Sequence, residues 1–107
     1  MSGVFSKTTL AKVAMYTFFA SNFFRKALFI SADEIHNIRP DLALVVGERR
    51  RCKVRIRYRQ PLQDAELIRE NEGMYILFDE AQKSITPGQF AAWYIDDELF
   101  GSGVIAE

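Results

Sequence analysis

A chain of 107 residues makes one domain, with room for a single core but not for a substrate-binding domain beside a cofactor domain. Apolar residues make up 49% of it, which excludes a disordered tail. The zero formal charge hides an asymmetry: residues 1 to 59 hold 12 Lys or Arg against 4 Asp or Glu, a net +8, and residues 60 to 107 hold 2 against 10, a net −8.

Leu10 to Phe24 is rich in aromatics, but Lys12, Thr17, Ser21 and Asn22 interrupt it and Arg25 and Lys26 follow. It is shorter than the roughly 20 apolar residues a spanning helix needs. No small-x-small cleavage site follows a clean apolar core. The expectation is a cytoplasmic protein in which residues 1–22 form an extension, a short amphipathic helix or an edge strand, packed on a domain over residues 23–107.

Lys26 to Ser31 reads as a strand through Leu28, Phe29 and Ile30, with a turn or a short helical turn beginning at Ala32-Asp33-Glu34. Arg39-Pro40-Asp41 marks a break, because proline restricts the residue before it to extended conformations. The apolar run Leu42 to Val46 leads to a turn at Gly47-Glu48.

Residues 51 to 59 alternate without a slip: Cys52, Val54, Ile56 and Tyr58 on one parity, Arg51, Lys53, Arg55, Arg57 and Arg59 on the other. A period of two sends successive side chains to opposite faces of a sheet, so this is a strand with an oily side and five cations about 7 Å apart on the other. Phosphates along a nucleic-acid strand have a comparable spacing, roughly 6–7 Å, so an RNA backbone fits this face. Neighbouring strands carrying Asp64, Glu66 and Glu70 would neutralise it equally well. The pattern leaves both readings open.

Pro61 ends the basic strand. Leu62 to Arg69 and Met74 to Phe78 read as two strands joined through Asn71-Glu72-Gly73, a compact hairpin. Thr86-Pro87-Gly88-Gln89 suits a type II turn, with proline second and glycine third. Phe90 to Ile95 is a strand, Asp96-Asp97 a tight turn, and Leu99 to Ile105 the last strand. Gly101 and Gly103 within it predict a bulge or a close backbone approach. The expected fold is all-β: a small antiparallel barrel, closed or partly open, of about six strands. Closure is preferred because it removes exposed edges. Val54, Ile56, Leu77, Trp93 and Ile105 should face the interior.

Catalytic chemistry is hard to assemble. There is no Gly-rich phosphate loop followed by Lys-Ser or Lys-Thr. Cys52 points inward by parity, where an inert buried thiol is expected, and a single cysteine makes no internal disulfide. His36, the one histidine, has no second His or Cys at a ligand spacing, so no metal is expected. Asp79-Glu80 and Asp96-Asp97-Glu98 fall at turns, where hydration explains them.

Three segments in register carry a resemblance: Val54-Arg55-Ile56-Arg57-Tyr58-Arg59-Gln60; Phe78-Asp79-Glu80 with Ile85-Thr86-Pro87-Gly88-Gln89; and Leu99-Phe100-Gly101-Ser102-Gly103-Val104-Ile105. In order and spacing they resemble the C-terminal β-barrel domain of bacterial tRNA-specific 2-thiouridylases, over roughly residues 23 to 106. The resemblance implies an accessory, tRNA-contacting barrel. Such enzymes adenylate position 2 of the wobble uridine with ATP and then deliver sulfur from a cysteine persulfide, using a catalytic domain joined to a central domain and the barrel. This chain has neither the Ser-Gly-Gly-x-Asp-Ser nucleotide loop nor the catalytic cysteines, so no cofactor and no catalysis are expected of it. Carried over by position, the tRNA contacts would be Arg57, Tyr58 and Gln89, with Arg55 and Arg59 as neighbouring cations. Expected partners are tRNA and the catalytic and central domains of such an enzyme, with no membrane. Ser102 departs from the family pattern, replacing the middle glycine of a Gly-Gly-Gly run.

Overall fold

A computed structural model describes residues 24–106; the expected N-terminal extension lies outside the described residues. Six strands, β1 (Phe24–His36), β2 (Arg49–Arg55), β3 (Gln63–Glu70), β4 (Gly73–Lys83), β5 (Phe90–Ile95) and β6 (Glu98–Ile105), form a closed barrel in the order β1-β4-β3-β2-β5-β6. Every neighbouring pair is antiparallel.

Closure depends on β1. Its 13 residues serve two neighbours: Phe24 to Ser31 pair with β4, and Ile30 to His36 pair with β6. The turn expected at Ala32-Asp33-Glu34 is instead a bend inside this strand, where the register shifts between Ile30 and Ile35. Such an irregularity lets a strand turn a barrel corner without leaving its ladder. β4 likewise runs past Phe78 to Lys83.

The interior is filled from all six strands, with Trp93, Phe100, Leu28, Ile30, Leu67 and Ile76 almost wholly buried. Val54, Ile56 and Ile105 join them as expected. Leu77 does not. In the continuous apolar run Met74 to Phe78 the inward residues are Met74, Ile76 and Phe78, while Leu77 packs on the outer face with Phe29, Ile68 and Tyr75. A run without alternation gives no parity, and only the pairing of Leu28 with Ile76 sets it.

Leu42 to Val46 is not a strand. A 3₁₀ turn over Pro40–Leu42 starts a loop whose Leu42 and Leu44 pack against the core. Arg50 fixes this loop: its guanidinium donates to the Leu42 carbonyl, pairs with Glu48 at 2.7 Å and lies 5.6 Å from the centre of the Phe100 ring.

Two turns follow their residues closely. Gly88 has φ +91°, the positive value that the third position of a type II turn requires and glycine adopts without steric cost. Asp96 and Asp97, at φ 50° and 63°, make the two-residue turn between β5 and β6, matching the right-handed twist of the strands. Gly101 pairs with Trp93 beside a register shift, and a Cβ there would run into the indole. Ser102 lies on the alternate parity and is only half-buried, so the serine displaces nothing from the core. Among the described residues no helix is long and apolar enough to cross a membrane.

Candidate nucleic-acid interface

The nine-residue alternation does not survive as one strand. β2 ends at Arg55, and residues 56–60 fold into a bend and turn closed by the Gln60 N–H donating to the Arg57 carbonyl at 3.0 Å. Pro61 contributes to this, since it cannot donate to a ladder. Gln60 holds the turn from within: its Oε1 accepts from the Ile56 N–H at 3.0 Å and its Nε2 donates to Gln82 Oε1 at 2.8 Å. Tyr58, inward by parity, is therefore 89% exposed, its ring out in solvent.

The cations divide one residue before the strand ends. From Arg49 to Lys53 the outward charges of β2 are met by acids on β3 and β4. Arg49 makes two bonds to Glu66, at 2.9 and 2.5 Å; Arg51 makes two to Asp79, at 2.8 and 2.6 Å; Lys53 Nζ lies 2.8 Å from Asp64. The two bonds from Arg51, with its charge, hold the Asp79 carboxyl below the usual carboxylate range. Arg55, Arg57 and Arg59 differ. Among the described residues none of the three has a carboxylate partner.

Arg55 and Arg57 are nonetheless held in place, by neutral acceptors. Arg55 donates to the Tyr58 carbonyl at 3.0 Å and to the Tyr94 hydroxyl at 3.2 Å, with its guanidinium 5.2 Å from the centre of the Tyr94 ring. Arg57 Nη2 donates to the carbonyls of Lys83 and Ser84, at 2.7 and 2.9 Å. Carbonyls orient a guanidinium but leave its charge uncompensated, which suits it to a phosphate. Arg59 is exposed.

Gln89 is the last residue of the type II turn, immediately before β5. Its Oε1 accepts from the Thr86 N–H at 3.1 Å, so what it can offer a ligand is its amide N–H donors. An open cleft of about 490 Å³ brings Arg55, Arg57, Tyr58 and Gln89 together, with Phe90 and Tyr94 also lining it. The structure thus gathers four of the five expected contact residues. Reading the chain as a string of strands misses Phe90 and Tyr94. The visible signal for them was parity: Phe90, Ala92 and Tyr94 alternate with the inward Ala91 and Trp93.

Cys52 is not part of the site. Burial pushes its thiol up to about 12 from an ordinary value of 9.0. The folded state holds the proton more tightly than the unfolded chain, so this stabilisation is complete below pH 9.0 and is lost as pH rises toward about 12. Native protein should resist a thiol reagent at pH 8, and its melting temperature should fall from pH 9 to 11 more steeply than that of Cys52→Ala. Parallel slopes for the two proteins would show that the thiol is not the group responsible. Among the described residues no three His, Cys, Asp or Glu side chains are grouped to hold a metal.

Comparison with known proteins agrees with this architecture. A family described as the aminomethyltransferase beta-barrel domain matches residues 26–105. The chain is 58% identical over 83 residues to the tRNA-specific 2-thiouridylase MnmA of Christiangramia forsetii, covering 78% of this chain and 21% of that protein. It is 53% identical over 95 residues to the Flavobacterium johnsoniae MnmA, covering 86% of this chain and 24% of that protein. To the Marinobacter nauticus MnmA it is 44% identical over 57 residues, or 53% of this chain and 14% of that protein. The chain therefore spans less than a quarter of the length of each of these relatives. With a closed six-stranded barrel and a family match across all six strands, the chain belongs to the aminomethyltransferase beta-barrel domain family, in the form found in tRNA-specific 2-thiouridylases.

Proposed function

We propose that this barrel is the tRNA-contacting accessory domain of a tRNA 2-thiouridylase acting in the cytoplasm. The observation that carries the reading is the division of the cations: acids neutralise Arg49, Arg51 and Lys53, while Arg55 and Arg57 are oriented by uncharged groups around one cleft. An internal ion-pair lattice would have no reason to stop there. The mechanism is positional. Arg57 and Arg55, with Arg59 nearby, hold phosphates, while the Tyr58 hydroxyl and the Gln89 amide bond the backbone or sugars. In this reading adenylation with ATP and sulfur delivery from a cysteine persulfide to the wobble uridine belong to the enzyme's catalytic domain. The barrel helps seat the tRNA for that chemistry.

A second reading, a domain-packing module without RNA binding, draws on the ion pairs that neutralise Arg49, Arg51 and Lys53 on the outer side of β2.

Titrating the purified chain with tRNA at several salt concentrations tests the RNA reading. The expected dissociation constant is on the order of 10⁻⁴ to 10⁻⁶ M at physiological salt, tightening steeply as salt is lowered. No measurable binding at 50 mM salt would leave the packing module as the barrel's role.

A further inference from the structure

We infer that the cleft takes an unpaired nucleotide, its base held flat between Phe90 and the Arg55–Tyr94 stack, rather than a stretch of RNA helix. The inference rests on the RNA reading above and adds what part of an RNA the site accepts.

The observation is the outer side of β5. Phe90 and Tyr94 share one parity with Ala92 between them, and Arg55 of β2 is registered opposite Ala92. A methyl group makes a low floor between two rings. Four residues of strand set Phe90 and Tyr94 roughly 13 Å apart. The Arg55 guanidinium occupies part of that span, 5.2 Å from the centre of the Tyr94 ring. What remains is room for one further planar ring. The wall that would complete the slot is Phe90, 61% exposed, and Tyr58, 89% exposed, stands at its lip. Two aromatic rings left in solvent beside uncompensated arginines are a poor surface for water and a good one for a nucleobase.

The geometry also selects against a duplex. Bases in an A-form helix already stack on each other and present only their edges, so a slot that accepts a ring by its face needs a nucleotide from a loop or a single-stranded end. Stacking tolerates any base, because each has a π-face. The cleft should therefore discriminate by strand state and not by sequence.

The experiment compares Phe90→Ala, Phe90→Tyr and Arg57→Ala with the unaltered chain. Each is titrated with a single-stranded RNA carrying one 2-aminopurine and with a blunt RNA duplex of equal length. Phe90→Ala should bind the single strand about tenfold more weakly, with its salt slope unchanged and duplex binding unaffected. The 2-aminopurine should be quenched by the unaltered chain and by Phe90→Tyr but not by Phe90→Ala, and melting temperatures should match because the ring is exposed. If Phe90→Ala binds both RNAs normally while Arg57→Ala weakens both, the stacking slot is wrong and the RNA reading stands. If no protein binds either RNA, both are wrong. Normal RNA binding by Phe90→Ala with lost affinity for a companion protein domain would assign the aromatic patch to protein docking and overturn the inference.

Discussion

Replacing Gly101 by alanine should lower stability by about 3 kcal/mol, at the upper end of what overpacking a core ordinarily costs. The added Cβ would collide with the Trp93 indole, the largest fully buried side chain in the barrel. The usual relief, rotation of a flexible side-chain end, is not open to a rigid bicyclic ring enclosed by core neighbours. For a domain of this size that loss lowers the melting temperature by more than about 10 °C. A double-mutant cycle isolates the cause. In a Trp93→Leu background, itself destabilised, the space beside Gly101 is open and Gly101→Ala should cost under about 1 kcal/mol, a coupling of roughly 2 kcal/mol between the two positions. Thermal melts of the four proteins measure it. Equal costs of the alanine in both backgrounds would mean that the glycine is needed for the β5–β6 register shift and not for room beside the ring.

Arg57→Ala should weaken tRNA binding about fivefold to tenfold near 0.1 M salt, the scale of one charge-assisted contact to a phosphate. It should also reduce the slope of log K against log salt by about 0.7 to 0.9, since one fewer condensed counterion is released. Arg51→Ala removes the same formal charge and serves as the control. Because Arg51 is already engaged by Asp79 through two bonds, its loss should change affinity much less. Arg57→Lys should keep most of the salt slope, because the ammonium carries the same charge. If Arg57→Ala leaves affinity and slope unchanged while lowering the melting temperature, the arginine is a staple between the turn and the end of β4, and the packing module becomes the leading reading.

The chain states its own local structure wherever neighbouring residues decide it. Arg51 to Arg55 alternates because an oily side faces a core and a charged side faces water, and it is a strand. Pro87-Gly88 and Asp96-Asp97 dictate their turns through φ. Gly101 signals a close approach because nothing larger fits. The resemblance carried by Arg57-Tyr58-Arg59-Gln60 and Thr86-Pro87-Gly88-Gln89 is likewise a property of the string. Tertiary structure decided the rest, for one physical reason: strands pair across distances in sequence that no local pattern encodes. Ile76 rather than Leu77 faces inward because of the β1–β4 register, in a run where every residue is apolar. Arg51 meets Asp79, 28 residues away and two strands over, so a cationic stripe became partly an ion-pair lattice. Arg55 meets Tyr94 because β2 pairs with β5 as well as with β3, its next neighbour in the chain. The alternation continued to Arg59 on paper, but the ladder ended at Arg55, where the backbone turned to satisfy Gln60 and Pro61 and set Tyr58 out in solvent.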